Sequence, residues 1–327
     1  MIDFCILCLS CSDALTDEHI FPEAIGGRIK SAILCKKCNS NVGRKIDAPF
    51  LNQKNIQLAR SAYQIAGKTG SIPQPFSDKY SAAIDGNQTD FKLNPDYSAN
   101  LIPTAPEIFI TENGLVGIKF SRDAQYRNQI PKIIETSLRR FFAYQEGAAL
   151  GWSEDQIIYA IQTSIESASY VLPVETHINT ELSGKWEIDL RRLFTEHAKI
   201  IYEIACLETN GDFSSTSKGN KLRHFLLTES QATGEPTWSL NEMALELGAC
   251  PILPNELLEF TNQLANQKPH TYHIAIVSRE GIVVSTLGFG AMLHIEGLLK
   301  DDDSTKIYIN EITGWKYGIY DLAHFLP

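Results

Sequence analysis

Apolar residues follow different rhythms along the chain. Up to residue 34 they come in short bursts, at residues 3–8, Leu15–Ile20 and residues 28–34, separated by Pro22 and Gly26-Gly27. Bursts of this length bounded by turn residues predict short strands. From Cys38 the spacing changes. Val42, Ile46, Phe50 and Leu51 recur at helical period, and a second helix is predicted from Asn52 to Ala66, with Ile56, Leu58, Ala59, Ala62 and Ile65 as its apolar members. The opening order is strand, turn, strand, helix.

Residues 67–105 are rich in Gly, Ser, Pro, Asn and Asp and read as a linker with at most short strands. Residues 107–120 form two β-rich runs joined at Asn113-Gly114, a strong hairpin signal. A helix is predicted over Ile130–Tyr144. Another opens at Ser153, with Gln156 completing a capping box, and runs to about Ser167. The clearest amphipathic pattern spans Ile188–Leu207, with Leu190, Leu193, Phe194, Ile200, Ile201 and Ile204 inward and Arg191, Arg192, His197 and Lys199 on a solvated face. Residues 208–238 read as polar and irregular, and 241–247 and 255–266 as helices. Runs at 271–278 and 282–289 flank Arg279-Glu280-Gly281 as a hairpin, and 307–312 adds a strand. The expected class is α+β: a small ββα module over residues 1–66, a linker over 67–105, and a larger mixed helix and antiparallel-sheet domain over 106–327.

A length of 327 residues suits about two domains. No apolar run approaches the ~20 residues that cross a bilayer. The opening MIDFCILCLSC lacks the basic and long apolar regions of a signal peptide. A cytoplasmic protein with no membrane partner is therefore expected. The net charge of −10 weighs against broad coating of nucleic acid, but the charge is uneven. From Arg28 to Arg60 eight basic residues face one acid, Asp47. A local basic surface of this kind can meet phosphates at one place.

Five of the seven cysteines crowd into the first 38 residues. Two Cys-x-x-Cys pairs without a secretory leader point to a metal rather than to disulfides. Cys5, Cys8, Cys35 and Cys38 supply four thiolates for a tetrahedral structural Zn²⁺. Cys8-x-x-Cys11 is an equally spaced alternative to the first pair. Cys206 and Cys250 read as structural, as does His273, although His270-x-x-His273 has ligand spacing. Between the cysteine pairs lies Asp17-Glu18-His19. An imidazole titrates near neutral pH, so His19 can take a proton from water. Glu18 and Asn39 can offer oxygens to a hard divalent cation.

Residues 5–47 resemble the HNH endonucleases, the ββα-metal nucleases, in the subgroup with a zinc-binding CxxC on each side of an EHI-x-P-x-x-x-GG core. The matching residues are Cys5-Ile-Leu-Cys8, Glu18-His19-Ile20-Phe21-Pro22, Gly26-Gly27 and Cys35-Lys-Lys-Cys38-Asn39. The resemblance implies a DNA-cutting enzyme. His19 would be the general base, and Glu18 and Asn39 would be ligands of a catalytic Mg²⁺ or Mn²⁺. Restriction or phage defence is an expected role, with a homodimer, a regulatory ligand or a protein as further partners. The chain departs from the pattern in three places. Asn39 stands where the last histidine is usual, Lys30 or Ser31 occupies the region of the middle Asn, and Glu18 replaces the commoner Asp. Asp17 is a rival ligand, because alternate strand residues share a face. Asn41 and Asp47 are candidates to support the ligands. The other reading is a zinc-stabilised binding module that cuts nothing.

Overall fold

A computed structural model describes every residue except 1, 11–13, 68–69, 85–86, 95–97, 103–104, 112–113, 121–123, 145, 169–186, 265–270, 300–303, 315 and 325–327. Cys11, Asn113 and His270 lie outside the described residues. The chain divides into two compact units. The first joins Met1–Pro73 to Lys185–Pro327, and the second is Gln74–Gly184. The expected boundaries fall elsewhere, because the N-terminal segment packs into the C-terminal part.

Residues 3–8, expected as a strand, form a tight turn instead. Cys5 N–H donates to the Ser10 carbonyl and Leu9 N–H to the Cys5 carbonyl, with Leu9 in the left-handed region at φ 57°. The first hairpin pairs β1 (Leu15–His19) with β2 (Lys30–Cys35), its register shifting between Thr16 and Asp17. Cys35 ends β2 and precedes α1 (Lys36–Val42). A π-helical turn, Gly43–Asp47, leads into α2 (Ala48–Leu51), and α3 (Lys54–Ala62) follows.

The second unit holds the stretch expected as a linker. There β3 (Tyr80–Ile84), β4 (Asn87–Leu93) and β5 (Ala99–Leu101) form a three-stranded antiparallel sheet. The expected hairpin is present as β6 (Glu107–Ile110) and β7 (Val116–Lys119). Helices α4 (Ile130–Tyr144) and α5 (Glu154–Glu166) share a core of Ile134, Leu138, Phe141, Phe142 and Ile161, and Trp152 stacks on Phe142. Ser153 and Gln156 form the expected capping box.

The chain then re-enters the first unit through α6 (Leu190–Glu208), followed by α7 (Ser217–Gln231), α8 (Leu240–Leu247), the short β8 (Ala249–Cys250) and α9 (Asn255–Leu264). The strands β9 (Tyr272–Val277), β10 (Gly281–Thr286), β11 (Phe289–His294), β12 (Lys306–Glu311) and β13 (Tyr317–Asp321) complete a six-stranded antiparallel sheet in the order β13-β12-β9-β10-β11-β8. Alternate strand residues point to opposite faces. Ala275, Val277, Val284 and Leu293 accordingly join one core, while Ile274, Ile276, Ile307 and Ile309 build another.

Two expectations fail here. The region 208–238 is expected to be irregular but contains α7, whose buried large apolar side chains are a narrow stripe of Leu222, Phe225 and Leu226 beside Gly219 and Ser230. Helix α6 has no solvated face along its middle, since Leu193–Cys206 are buried throughout, including Thr195, Glu196, His197, Lys199 and Glu203. Its apolar side joins Ile6, Ile20, Phe21, Ile33 and Leu34 of the N-terminal segment to the sheet in a single core. No helix among the described residues is long and apolar enough to cross a membrane.

Two polar side chains pack where that core meets the sheet. His197 Nε2 lies 2.8 Å from Thr286 Oγ1, and the Nε2–H of His273 donates to the Ile25 carbonyl at 2.8 Å. Burial lowers His197 to about 3, with His273 adding to the effect, and burial lowers His273 to about 4. Both imidazoles are neutral in the fold, whereas the unfolded chain takes up protons below about pH 6.5. Their contribution is therefore whole above that pH and shrinks as pH falls towards the folded values, by about 1.4 kcal/mol per unit for each histidine. Glu196, raised to about 8 by burial, acts oppositely between pH 8 and about 4.5. A difference measurement isolates the histidine effect. The urea midpoint of His197→Gln is expected to fall less steeply from pH 6.5 to 4 than that of the wild type. Parallel curves would contradict the assignment.

Candidate functional site

The two cysteine pairs come together by local geometry. The first pair sits on the tight turn at Cys5, and the second spans the junction of β2 and α1. The four sulfurs of Cys5, Cys8, Cys35 and Cys38 all lie within 4.8 Å of one another. The Cys8 and Cys35 sulfurs are 3.8 Å apart. A hydrogen bond from the Cys38 thiol lowers Cys5 to about 4, helped by backbone N–H groups of Cys8, Cys35 and Leu7, against the effect of burial. The shared bond with Cys5 pushes Cys38 up, and burial raises Cys8. Four converging sulfurs are the donor set that zinc takes. Zinc would displace the thiol protons.

His19 is at the end of β1, part-buried, with Nε2 4.0 Å from the Glu23 carboxylate. It lines a cleft of about 590 Å³. One wall is the hairpin itself, through Gly26, Gly27, Arg28 and Lys30. Another is the segment after α3, from Tyr63 to Ala66, and a third is the β12–β13 turn, through Ile312, Thr313 and Tyr317. The walls are fixed to each other by buried polar contacts. The Asn310 side chain accepts from Arg28 N–H at 2.7 Å and donates to the Gly26 carbonyl at 2.7 Å. His273 holds the preceding carbonyl, that of Ile25. Both glycines are required here. Gly26 has φ 95° and a Cβ there would lie 2.9 Å from the Ile312 carbonyl oxygen, while a Cβ on Gly27 would overlap the Phe21 carbonyl oxygen.

Of the three residues expected to carry the chemistry, His19 alone lines this cleft. Glu18 points the other way and is 5% exposed, with Oε1 3.1 Å from Lys199 Nζ. The same ammonium meets Asp47 Oδ1 at 2.8 Å and Glu196 Oε1 at 3.4 Å. Burial acts to lower Lys199, but Asp47, Glu196, Glu18 and Glu203 together hold it well above the usual lysine range. Burial pushes Glu196 up to about 8 and raises Glu203 strongly. Asp47 thus braces Lys199 instead of a metal ligand.

The Asn39 amide donates to Thr16 Oγ1 at 3.0 Å and to the Asp17 carbonyl at 3.1 Å, tying α1 to β1 across the register shift. Asp17 is exposed. Asn41 accepts a long hydrogen bond from Arg44. Among the described residues the four cysteines are the one group of three or more His, Cys, Asp or Glu ligands that could hold an ion. Glu18 and Asn39 as placed do not open a shared oxygen site to the cleft.

Sequence reasoning missed Lys199, Asn310, Tyr63 and Tyr317. A signal existed for the first. Glu196, Lys199 and Glu203 repeat at i, i+3 and i+7, which places acids one turn on either side of the lysine along one line of the helix.

No curated protein and no solved structure matches the chain. Residues 5–55, the segment holding both cysteine pairs, His19 and the Gly26-Gly27 turn, match the HNH endonuclease family model.

Proposed function

We propose that the protein is a metal-dependent endonuclease that hydrolyses phosphodiester bonds of DNA, with His19 as general base. The observation that carries this reading is the placement of His19 in a cleft shared with Arg28 and Lys30, on the hairpin whose other end carries Cys35 of the four-cysteine cluster, within a segment that matches the HNH endonuclease family model. Arg28 and Lys30 attract the phosphate, and His19 takes the proton of the attacking water. A divalent cation, Mg²⁺ or Mn²⁺, would stabilise charge on the phosphate and on the leaving oxygen. Its ligands would have to include groups beyond Glu18 and Asn39 as they are now placed, and exposed Asp17 is the nearest acid along the chain. Destruction of foreign DNA, as a restriction enzyme or effector nuclease, is the biological role proposed by analogy.

His19→Ala is expected to lower the rate by at least 10²-fold, the usual contribution of a positioned base. Plasmid and linear DNA incubated with Mg²⁺ or Mn²⁺ give the readout. Equal rates for wild type and variant would remove His19 from the mechanism.

One observation favours a second reading, a zinc-stabilised module that grips DNA without cutting it. The carboxylate expected to bind the catalytic ion is held by an internal ammonium. In that case both proteins bind DNA and neither cleaves it.

A further inference from the structure

The cleft beside His19 is larger than a phosphate contact needs. At about 590 Å³ this open cleft has the volume of many ligand sites, roughly 300–1,000 Å³. Its walls carry one carboxylate, Glu23, beside His19, and two kinds of group that suit a nucleotide. Arg28 and Lys30 bring positive charge from the hairpin. Tyr63 and Tyr317 bring aromatic rings from the segment after α3 and from the first residue of β13. Tyr317 is 49% exposed, and Tyr63 is half-buried against the small core of Ile25, Phe50 and Ile56. The cleft is also built rather than incidental, since Asn310 and His273 pin the hairpin wall to the sheet wall through buried hydrogen bonds. Cations with aromatic faces along one open cleft are the elements that hold a nucleotide outside a base stack. The cations track the backbone and the rings accept a base of any identity.

We propose that this cleft binds one unstacked nucleotide of the DNA substrate, with the base against Tyr317 and Tyr63 and its phosphates at Arg28 and Lys30. The substrate class is thereby narrowed to DNA with an unpaired or easily extruded base, such as single strands, mismatches and gaps. Such sites cost less to open than a matched pair. The proposal rests on the endonuclease reading for the identity of the ligand, but binding tests it separately from cutting.

The experiment uses the full chain carrying His19→Ala, which prevents cleavage. Affinities are measured for a matched duplex, the same duplex with one mismatch, and the single strand. The mismatched duplex is expected to bind at least tenfold more tightly than the matched one. Adding Tyr317→Ala is expected to weaken mismatch binding by roughly 10- to 100-fold, the loss of one base–aromatic stack, and to bring the ratio of the two affinities towards one. Adding Lys30→Gln instead is expected to weaken all three DNAs alike and to reduce the salt dependence by about one phosphate contact. Equal affinity for matched and mismatched duplexes, no binding to any DNA, or a Tyr317→Ala effect identical on all three overturns the proposal. Circular dichroism of Tyr317→Ala checks that the fold is intact. If the wild-type chain cuts DNA yet shows no preference, the nucleotide cleft fails and the endonuclease reading stands. If preference appears without cutting, the cleft stands and catalysis fails.

Discussion

Stripping zinc from the protein is expected to unfold its first unit, and Cys38→Ser is expected to do most of the same. A structural zinc in a four-sulfur site supplies about 10–16 kcal/mol of apparent binding free energy near neutral pH, which acts as folding free energy. An ordinary domain has only about 5–15 kcal/mol of total stability. The cluster's position makes the loss general. Cys5 and Cys35 are buried in the same core as Ile6, Leu34, Tyr202 and Tyr308, and the Tyr202 hydroxyl donates to the Ile6 carbonyl on the first knuckle. Elemental analysis should find one zinc per chain, and a strong chelator should abolish cooperative urea unfolding of the first unit. A chain that contains no zinc, or that keeps its urea midpoint in chelator, would exclude a structural ion at the four cysteines.

Lys199→Met is expected to cost about 3–5 kcal/mol, the usual penalty for leaving buried charge without its partner. The ammonium is 1% exposed and meets Glu18, Asp47 and Glu196 within 3.4 Å. Methionine fills a similar volume, so a packing change contributes little. Replacing the acids as well, in Lys199→Met/Glu18→Gln/Asp47→Asn, is expected to recover part of the loss, because the uncompensated charges go with the cation. Urea denaturation of the two variants gives the comparison. If the single change costs under about 1 kcal/mol, or if the triple variant is the weaker of the two, the cluster is not held together by Lys199.

Much of this was readable from local sequence. The cysteine pairs, His19 and the Gly26-Gly27 turn are short-range patterns, and each fixes its own geometry. The same is true of α4, whose apolar period matches its observed bounds, and of the Ser153 capping box. What was not readable depends on distant partners. Lys199 looked like a solvated lysine because its acids Glu18 and Asp47 lie more than 150 positions away in the chain. Helix α7 escaped because Leu222, Phe225 and Leu226 make too narrow a stripe to stand out from its polar residues. Strand β13 alternates exposed and half-buried residues at a sheet edge, so little hydrophobic signal marks it. Glu18 shows another distant dependence. Its motif suggests an ion ligand, and only the fold shows that its carboxylate meets Lys199 of α6 while His19 lines the cleft.

The interleaving of residues 1–73 with 185–327 bears on any attempt to use the nuclease-type segment as a portable cartridge. Moved alone into another protein, it would carry two acids stripped of their internal counterion and a glycine loop without the asparagine that clamps it. Its greasy face, from Ile6 to Leu34, would be bare to water. An exchange confined to 74–184 would instead keep every residue of the first unit in the chain.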